Sequence, residues 1–165
     1  MIILGIDPGY AIVGYGIIEY KSSRFRVIDY GAITTPAGLK PERRLEMIYD
    51  ALSSLIEKYK PDDMAVEELF FTNNQKTAIM VAEARGVIVL CAKKHGLNIA
   101  EYTPLQVKQA VVGYGRAEKK QVQSMVTMFL NLKEVPKPDD TADALAIAVC
   151  HAHSGQSRLA GYFNK

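Results

Sequence analysis

The first 35 residues carry three β-type segments separated only by turn-length breaks, and the remainder of the chain alternates between helix and strand character. Residues 2–7 form an apolar run, Ile2-Ile3-Leu4-Gly5-Ile6, that ends in Asp7 and breaks into Pro8-Gly9. Residues 12–20 are β-branched and aromatic with interspersed glycines, Ile12-Val13-Gly14-Tyr15-Gly16-Ile17-Ile18. A Lys21-Ser22-Ser23 turn then leads into the alternating Phe25-Arg26-Val27-Ile28 of segment 24–35. Three such strands in succession predict an antiparallel meander.

Pro41 opens a helix in which Leu45, Ile48, Leu52, Leu55, Ile56 and Tyr59 recur at helical spacing, and Lys60-Pro61 closes it. A fourth strand over 63–67 carries Glu67. A long helix runs from about Gln75 to His95, capped by Gly96. A short fifth strand, 98–102, leads to Thr103-Pro104, an N-cap followed by proline at the first helical position. Further helices are expected over 104–112, 117–131 and 139–153. This is an RNase H-like order: an α/β fold with a five-stranded mixed sheet flanked by helices. With no repeat and no linker, residues 1–154 are expected to form one domain and 155–165 a poorly ordered tail.

Four carboxylates converge on one end of such a sheet. Asp7 ends the first strand, where α/β sheets commonly bind ligands. Glu67 ends the run Met64-Ala65-Val66, and Asp140 and Asp143 lie three apart at the start of the last helix, on one face of it. Asp139 reads as an N-cap or first-turn residue. Asp143 borders the buried stretch Ala144-Leu145-Ala146-Ile147-Ala148-Val149, where a plain surface acid is less natural. Glu68 adjoins Glu67 on the opposite face, and strand alternation alone does not choose between them. A site of oxygen ligands without His or Cys suits hard divalent cations, Mg²⁺ first. Two such ions about 3.5–4 Å apart are suited to hydrolysis of a phosphodiester.

Charge and cysteine content add exclusions. The net charge of +2 is not in itself a nucleic-acid signal, but basic residues cluster as Arg24/Arg26, Arg43/Arg44, Lys93/Lys94 and Lys108, Arg116, Lys119 and Lys120. Cys91 and Cys150 are too few for a disulfide framework, and Gly5 and Asp7 interrupt any signal-peptide design, so a reducing cytoplasm is expected. Cys150-His151-Ala152-His153 has metal-tag composition but ends a helix, and Met125, Met128 and Phe129 read as core.

Four ordered blocks carry a resemblance: Gly5-Ile6-Asp7-Pro8-Gly9, Ala65-Val66-Glu67-Glu68-Leu69-Phe70, Gln106-Val107-Lys108-Gln109-Ala110-Val111-Val112-Gly113 and Asp140-Thr141-Ala142-Asp143-Ala144-Leu145-Ala146-Ile147-Ala148. In register over about residues 1–153, the chain resembles the RuvC family of bacterial Holliday junction resolvases. That resemblance implies an RNase H-like homodimer that nicks two symmetrically related strands of a four-way DNA junction, using Mg²⁺ and leaving 5′-phosphates. It implies Asp7, Glu67, Asp140 and Asp143 as catalytic metal ligands, and so favours Glu67 over Glu68. It places a junction-contacting aromatic on Phe70 and two functional lysines on Lys108 and Lys119. The RuvA-RuvB branch-migration complex is the expected partner.

The residues themselves agree with those roles. Phe70 and Phe71 begin a loop just past Glu67, where an exposed aromatic can stack on a base, while Phe71 reads as core. Lys108 and Lys119 can pair with phosphates beside the acids. From Ile79 to Ala92 the long helix is apolar nearly all the way round and contains Gly86, which suits a close helix contact between two copies. Three rivals remain. An actin-like ATPase shares an opening Asp-x-Gly strand but needs two domains, and the other Asp-x-Gly here, Asp29-Tyr30-Gly31, lies inside a strand. A general RNase H-like nuclease and a non-catalytic junction-binding protein are the other two.

Overall fold

In the opening meander the Lys21–Arg24 turn has positive φ at both central residues, Ser22 (50°) and Ser23 (61°), the backbone twist that closes a two-residue hairpin. The computed structural model describes residues 1–69 and 75–162, with side chains at all of these except 75 and 155–162. Among the described residues five strands, β1 (Ile2–Asp7), β2 (Ile12–Lys21), β3 (Arg24–Thr34), β4 (Asp63–Glu67) and β5 (Asn98–Tyr102), lie in the order β3-β2-β1-β4-β5. The first three pair antiparallel, and β1–β4 and β4–β5 pair parallel. The expected mixed sheet is therefore the observed one, and the helix after β3 serves as the crossover that parallel pairing requires.

Its two faces are covered by α1 (Pro41–Tyr59), α2 (Gln75–Lys94), α3 (Pro104–Val112), α4 (Lys119–Phe129) and α5 (Asp139–Tyr162). Strand alternation sorts the core into two layers. Leu4, Ile6, Met64 and Val66 face α1 and α2, packing with Ile48, Leu52 and Ile88. Ile3 and Ala65 face the other way, toward Leu145, Ile147 and Val149 of α5 and Val122 and Val126 of α4. Thr103 caps α3 as expected, accepting from the Gln106 amide while the Gln106 side chain accepts from the Thr103 amide. Gly96, at φ 79°, ends α2.

Three expectations need correction. α4 is shorter than 117–131, because Ala117 closes a turn on the Tyr114 carbonyl and the Gln121 side chain accepts from the Glu118 amide just before the helix. The backbone of α5 continues past 153 to Tyr162, no proline intervening to stop it. Met128 is not core: Val122 and Val126 define the buried face of α4, and Met128, two residues on, is 64% exposed. Met125 and Phe129 do pack against the core.

α5 approaches the sheet more closely than side chains would permit. A Cβ on Gly5 would lie 2.1 Å from the Ala144 carbonyl oxygen, and one on Gly14 would lie 2.0 Å from that of Asp140. Neither backbone can yield, so Gly14→Ala is expected to destabilise the protein by about 3 kcal/mol. Urea unfolding measures this, and an unchanged midpoint would mean that α5 does not dock closely on β2.

Candidate active site

Asp7 and Glu67 reach the same place by the same rule. Asp7 follows Ile3 and Gly5 on one face of β1, Glu67 follows Ala65 on one face of β4, and both series face α5. Glu68 is exposed, and its amide continues the β4–β5 ladder by bonding the Tyr102 carbonyl at 2.9 Å. Asp7 pairs with Gly14 in the β1–β2 register, and the bare backbone of Gly14 lets the first turn of α5 descend onto it. That descent brings Asp140 and Asp143 to the strand ends. Thr141 anchors the turn, donating from Oγ1 to the Gly31 carbonyl at 3.1 Å.

The acids feel one another. Burial, then the charges of Glu67, Asp143 and Asp140, push the Asp7 pKa up from the ordinary 3.8 to about 7, against a smaller opposing pull from Lys119. Burial and Asp143 also raise Glu67, opposed by Lys108 and Lys119. Asp143 is raised by burial although Lys119 donates to it at 2.9 Å. Lys119 pairs in addition with Asp139 at 3.3 Å, and the two acids outweigh burial to hold its pKa above the usual ammonium range.

Beside the acids opens a cavity of about 210 Å³ whose polar rim is Glu67, Lys108, Lys119 and Asp143. Pro104, Val107, Val122, Ala146 and Ile147 complete its apolar wall. Both expected lysines thus border the acids from two different helices, whereas Phe70 lies outside the described residues, as does Phe71. Among the described residues, no three His, Cys, Asp or Glu side chains are already gathered closely enough to hold a metal ion. The donor set nonetheless fits a hard divalent cation: it is all oxygen and half-buried, and a cation's charge would offset the burial and the neighbouring acid charges that together raise Asp7.

Several other residues take structural roles. His151 is buried between the Tyr102 hydroxyl (2.8 Å) and Asp63 (2.9 Å), and His153 contacts the Ala110 carbonyl, so the Cys-His run ties α5 to its neighbours. Asp29 accepts from the Tyr59 hydroxyl at 2.6 Å. Arg44 leaves the basic surface: it is buried, donates to Thr35 and stacks 4.0 Å over the Tyr10 ring. Two residues near the acids are not legible in the sequence. Arg85 of α2 donates to the Glu67 carbonyl at 3.4 Å and pairs with Glu101, fixing the end of β4, and Asp139 is a partner of Lys119. Neither has a local motif, since each depends on separate elements meeting.

Residues 3–151 match the family model described as crossover junction endodeoxyribonuclease RuvC. Similar curated relatives include a Clostridioides difficile protein of that description, 64% identical over 94% of this chain and 92% of its own length. One from Caldanaerobacter subterraneus is 58% identical over 93% of each. Among solved structures, Thermus thermophilus RuvC in complex with a Holliday junction substrate superposes with a TM-score of 0.92 at 34% identity, covering 96% of each chain. A yeast mitochondrial Holliday junction resolvase, at 16% identity and TM-score 0.71 over 98% of this chain and 83% of its own, shares the fold. Family model and relatives agree: the chain belongs to the RuvC family of crossover junction endodeoxyribonucleases.

Proposed function

We propose that this chain resolves four-way DNA junctions in recombination and repair by paired, symmetric, metal-dependent nicks that leave 5′-phosphates. The observation that carries this is the meeting of Asp7, Glu67, Asp140 and Asp143 from β1, β4 and α5, with Asp7 pushed up to about 7. These four acids are the metal ligands and the catalytic set, and residues 1–154 act as one nuclease domain. Mg²⁺, with Mn²⁺ as a substitute and two ions per subunit, would be held by these four acids and would supply an acidified water and charge neutralisation at the scissile phosphate. Lys108 and Lys119, bordering the cavity from α3 and α4, hold the phosphate oxygens and set the register of the strand. The apolar wall of the cavity keeps bulk water from competing there. Phe70, following Glu67 by three residues, stacks on a base at the opened junction centre.

Two symmetric nicks need two sites, and α2 supplies the means. Ile79 and Leu90 are 61% and 56% exposed on α2, and a Cβ on Gly86 would meet nothing within 4 Å of its own chain. A second copy of α2 seated there makes a two-fold homodimer, with isologous burial of the stripe. The RuvA-RuvB branch-migration complex is the partner that would deliver the junction. The place of action is the cytoplasm, where the junction DNA it acts on would be found; separately, no helix among the described residues is long and apolar enough to cross a membrane.

Comparison of substrates tests the reading. With Mg²⁺, the protein is expected to cut a labelled four-way junction at least ten times faster than linear duplex or an RNA–DNA hybrid of the same sequence. Equal rates would favour a general RNase H-like nuclease, and binding without cleavage would favour a non-catalytic junction binder.

A further inference from the structure

Asp139 is the acid at this site that the proposed function leaves unused. It opens α5, and its Oδ2 lies 3.3 Å from Lys119 Nζ while its Oδ1 accepts from Gln123 Nε2 at 3.2 Å. Lys119 Nζ is also 2.9 Å from Asp143 Oδ2. One ammonium therefore bridges an acid with a proposed metal role and an acid with none. Lys119 and Gln123 are four apart on α4, on one face, so both reach Asp139 from the same side. Gln123 holds one carboxylate oxygen and leaves the other directed at the lysine.

An ammonium hydrogen-bonded to a carboxylate oxygen stands where a divalent cation would bind, and the two positive charges repel. A cation that takes Oδ2 of Asp143, alone or together with Oδ1, displaces Lys119 from it. The lysine side chain is about half exposed, and its rotamer entropy favours a swing into solvent once that partner is lost. We infer that Asp139 is a positioning residue: it retains Lys119 beside the site when a cation occupies Asp143, so that the ammonium stays within reach of the substrate phosphate. The inference rests on the metal-dependent reading of the four acids. It makes Lys119 a cation with two seats, one exchangeable with the metal and one permanent.

A double-mutant cycle read by cation binding separates this tether from a simple effect of charge. Ca²⁺ is titrated calorimetrically into the full chain as wild type, Asp139→Asn, Lys119→Met and the double variant. Lys119→Met is expected to bind Ca²⁺ more tightly, its competitor gone. Asp139→Asn is expected to bind roughly three- to ten-fold more weakly, because Lys119 then has Asp143 as its one remaining seat. In the Lys119→Met background the Asp139 substitution should change affinity less than about two-fold. Acetylation of Lys119, followed by mass spectrometry at saturating Ca²⁺, should be several-fold faster in Asp139→Asn than in wild type. Equal weakening by Asp139→Asn in both backgrounds, or unchanged acetylation, overturns the tether while leaving the metal reading intact. Failure of the wild type to bind Ca²⁺ at all overturns the metal reading and the tether with it.

Discussion

Asp7→Asn is expected to leave junction binding intact and to lower nicking by more than roughly a hundred-fold. Loss of residues that merely support metal ligands already weakens metal affinity or activity by roughly 10–100-fold, so loss of a proposed direct ligand should exceed that. Asparagine keeps the shape and one oxygen of the side chain but removes its charge. Junction affinity rests on phosphate neutralisation by basic residues, which the substitution does not touch, and removal of a negative charge near the strand can only favour it. A native gel-shift and a cleavage assay on the same labelled junction measure the two effects together. Cleavage within ten-fold of wild type would remove Asp7 from the metal set. Joint loss of binding and cleavage would show that the substitution damages the fold instead.

The same substitution should make the protein more stable, and by an amount that depends on pH. The folded chain holds a proton on Asp7 up to about pH 7, whereas the unfolded chain loses it near 3.8. Across that window the native state binds more protons than the unfolded state, so this group's contribution to stability falls as pH rises and the full penalty stands above pH 7. The difference between the two pKa values corresponds to at most on the order of 4 kcal/mol. In EDTA at pH 8, Asp7→Asn is therefore expected to melt higher than wild type, by up to roughly 10 °C for a chain of this size. At pH 4 the two should melt together. Added Mg²⁺ should raise the wild-type transition and narrow the gap, since a ligand bound only to the native state stabilises it. Equal melting of the two proteins at pH 8 would mean that burial and the neighbouring acids do not hold the Asp7 pKa up in the fold. Activity and stability thus oppose each other at one residue, as they do where a site is assembled against its own electrostatics.

Where a residue's place depends on local pattern, the sequence is sufficient. Alternation along the first strand sets Asp7 on the face of Ile3 and Gly5, the side that α5 covers. Thr103-Pro104 and Gly96 mark helix ends by backbone chemistry that operates within a few residues. Alternation cannot tell Glu67 from Glu68, because the two faces of β4 carry similar residues. The structure separates them by what packs on each face: α5 covers the Glu67 side, and Glu68 is exposed. Met128 reads as core because methionine and phenylalanine near a helix end look alike in composition, yet the angular position set by Val122 and Val126 turns it to solvent. Arg85 and Asp139 lie out of reach of sequence reading for a related reason. Their partners belong to other elements, and only the packing of those elements, α5 on glycine backbone among them, brings the partners together.

If two copies of this acidic site cut one junction as a pair, a supercoiled plasmid bearing an extruded cruciform reports it directly. Two nicks made within one binding event give linear DNA, and a single nick gives an open circle. With Mg²⁺ and dimer in excess, linear product is expected to dominate from the earliest times, with 5′-phosphates at symmetrically placed ends and no cutting in EDTA. Open circles accumulating first and converting slowly to linear DNA, or cleavage that persists in EDTA, would contradict paired, metal-dependent cutting.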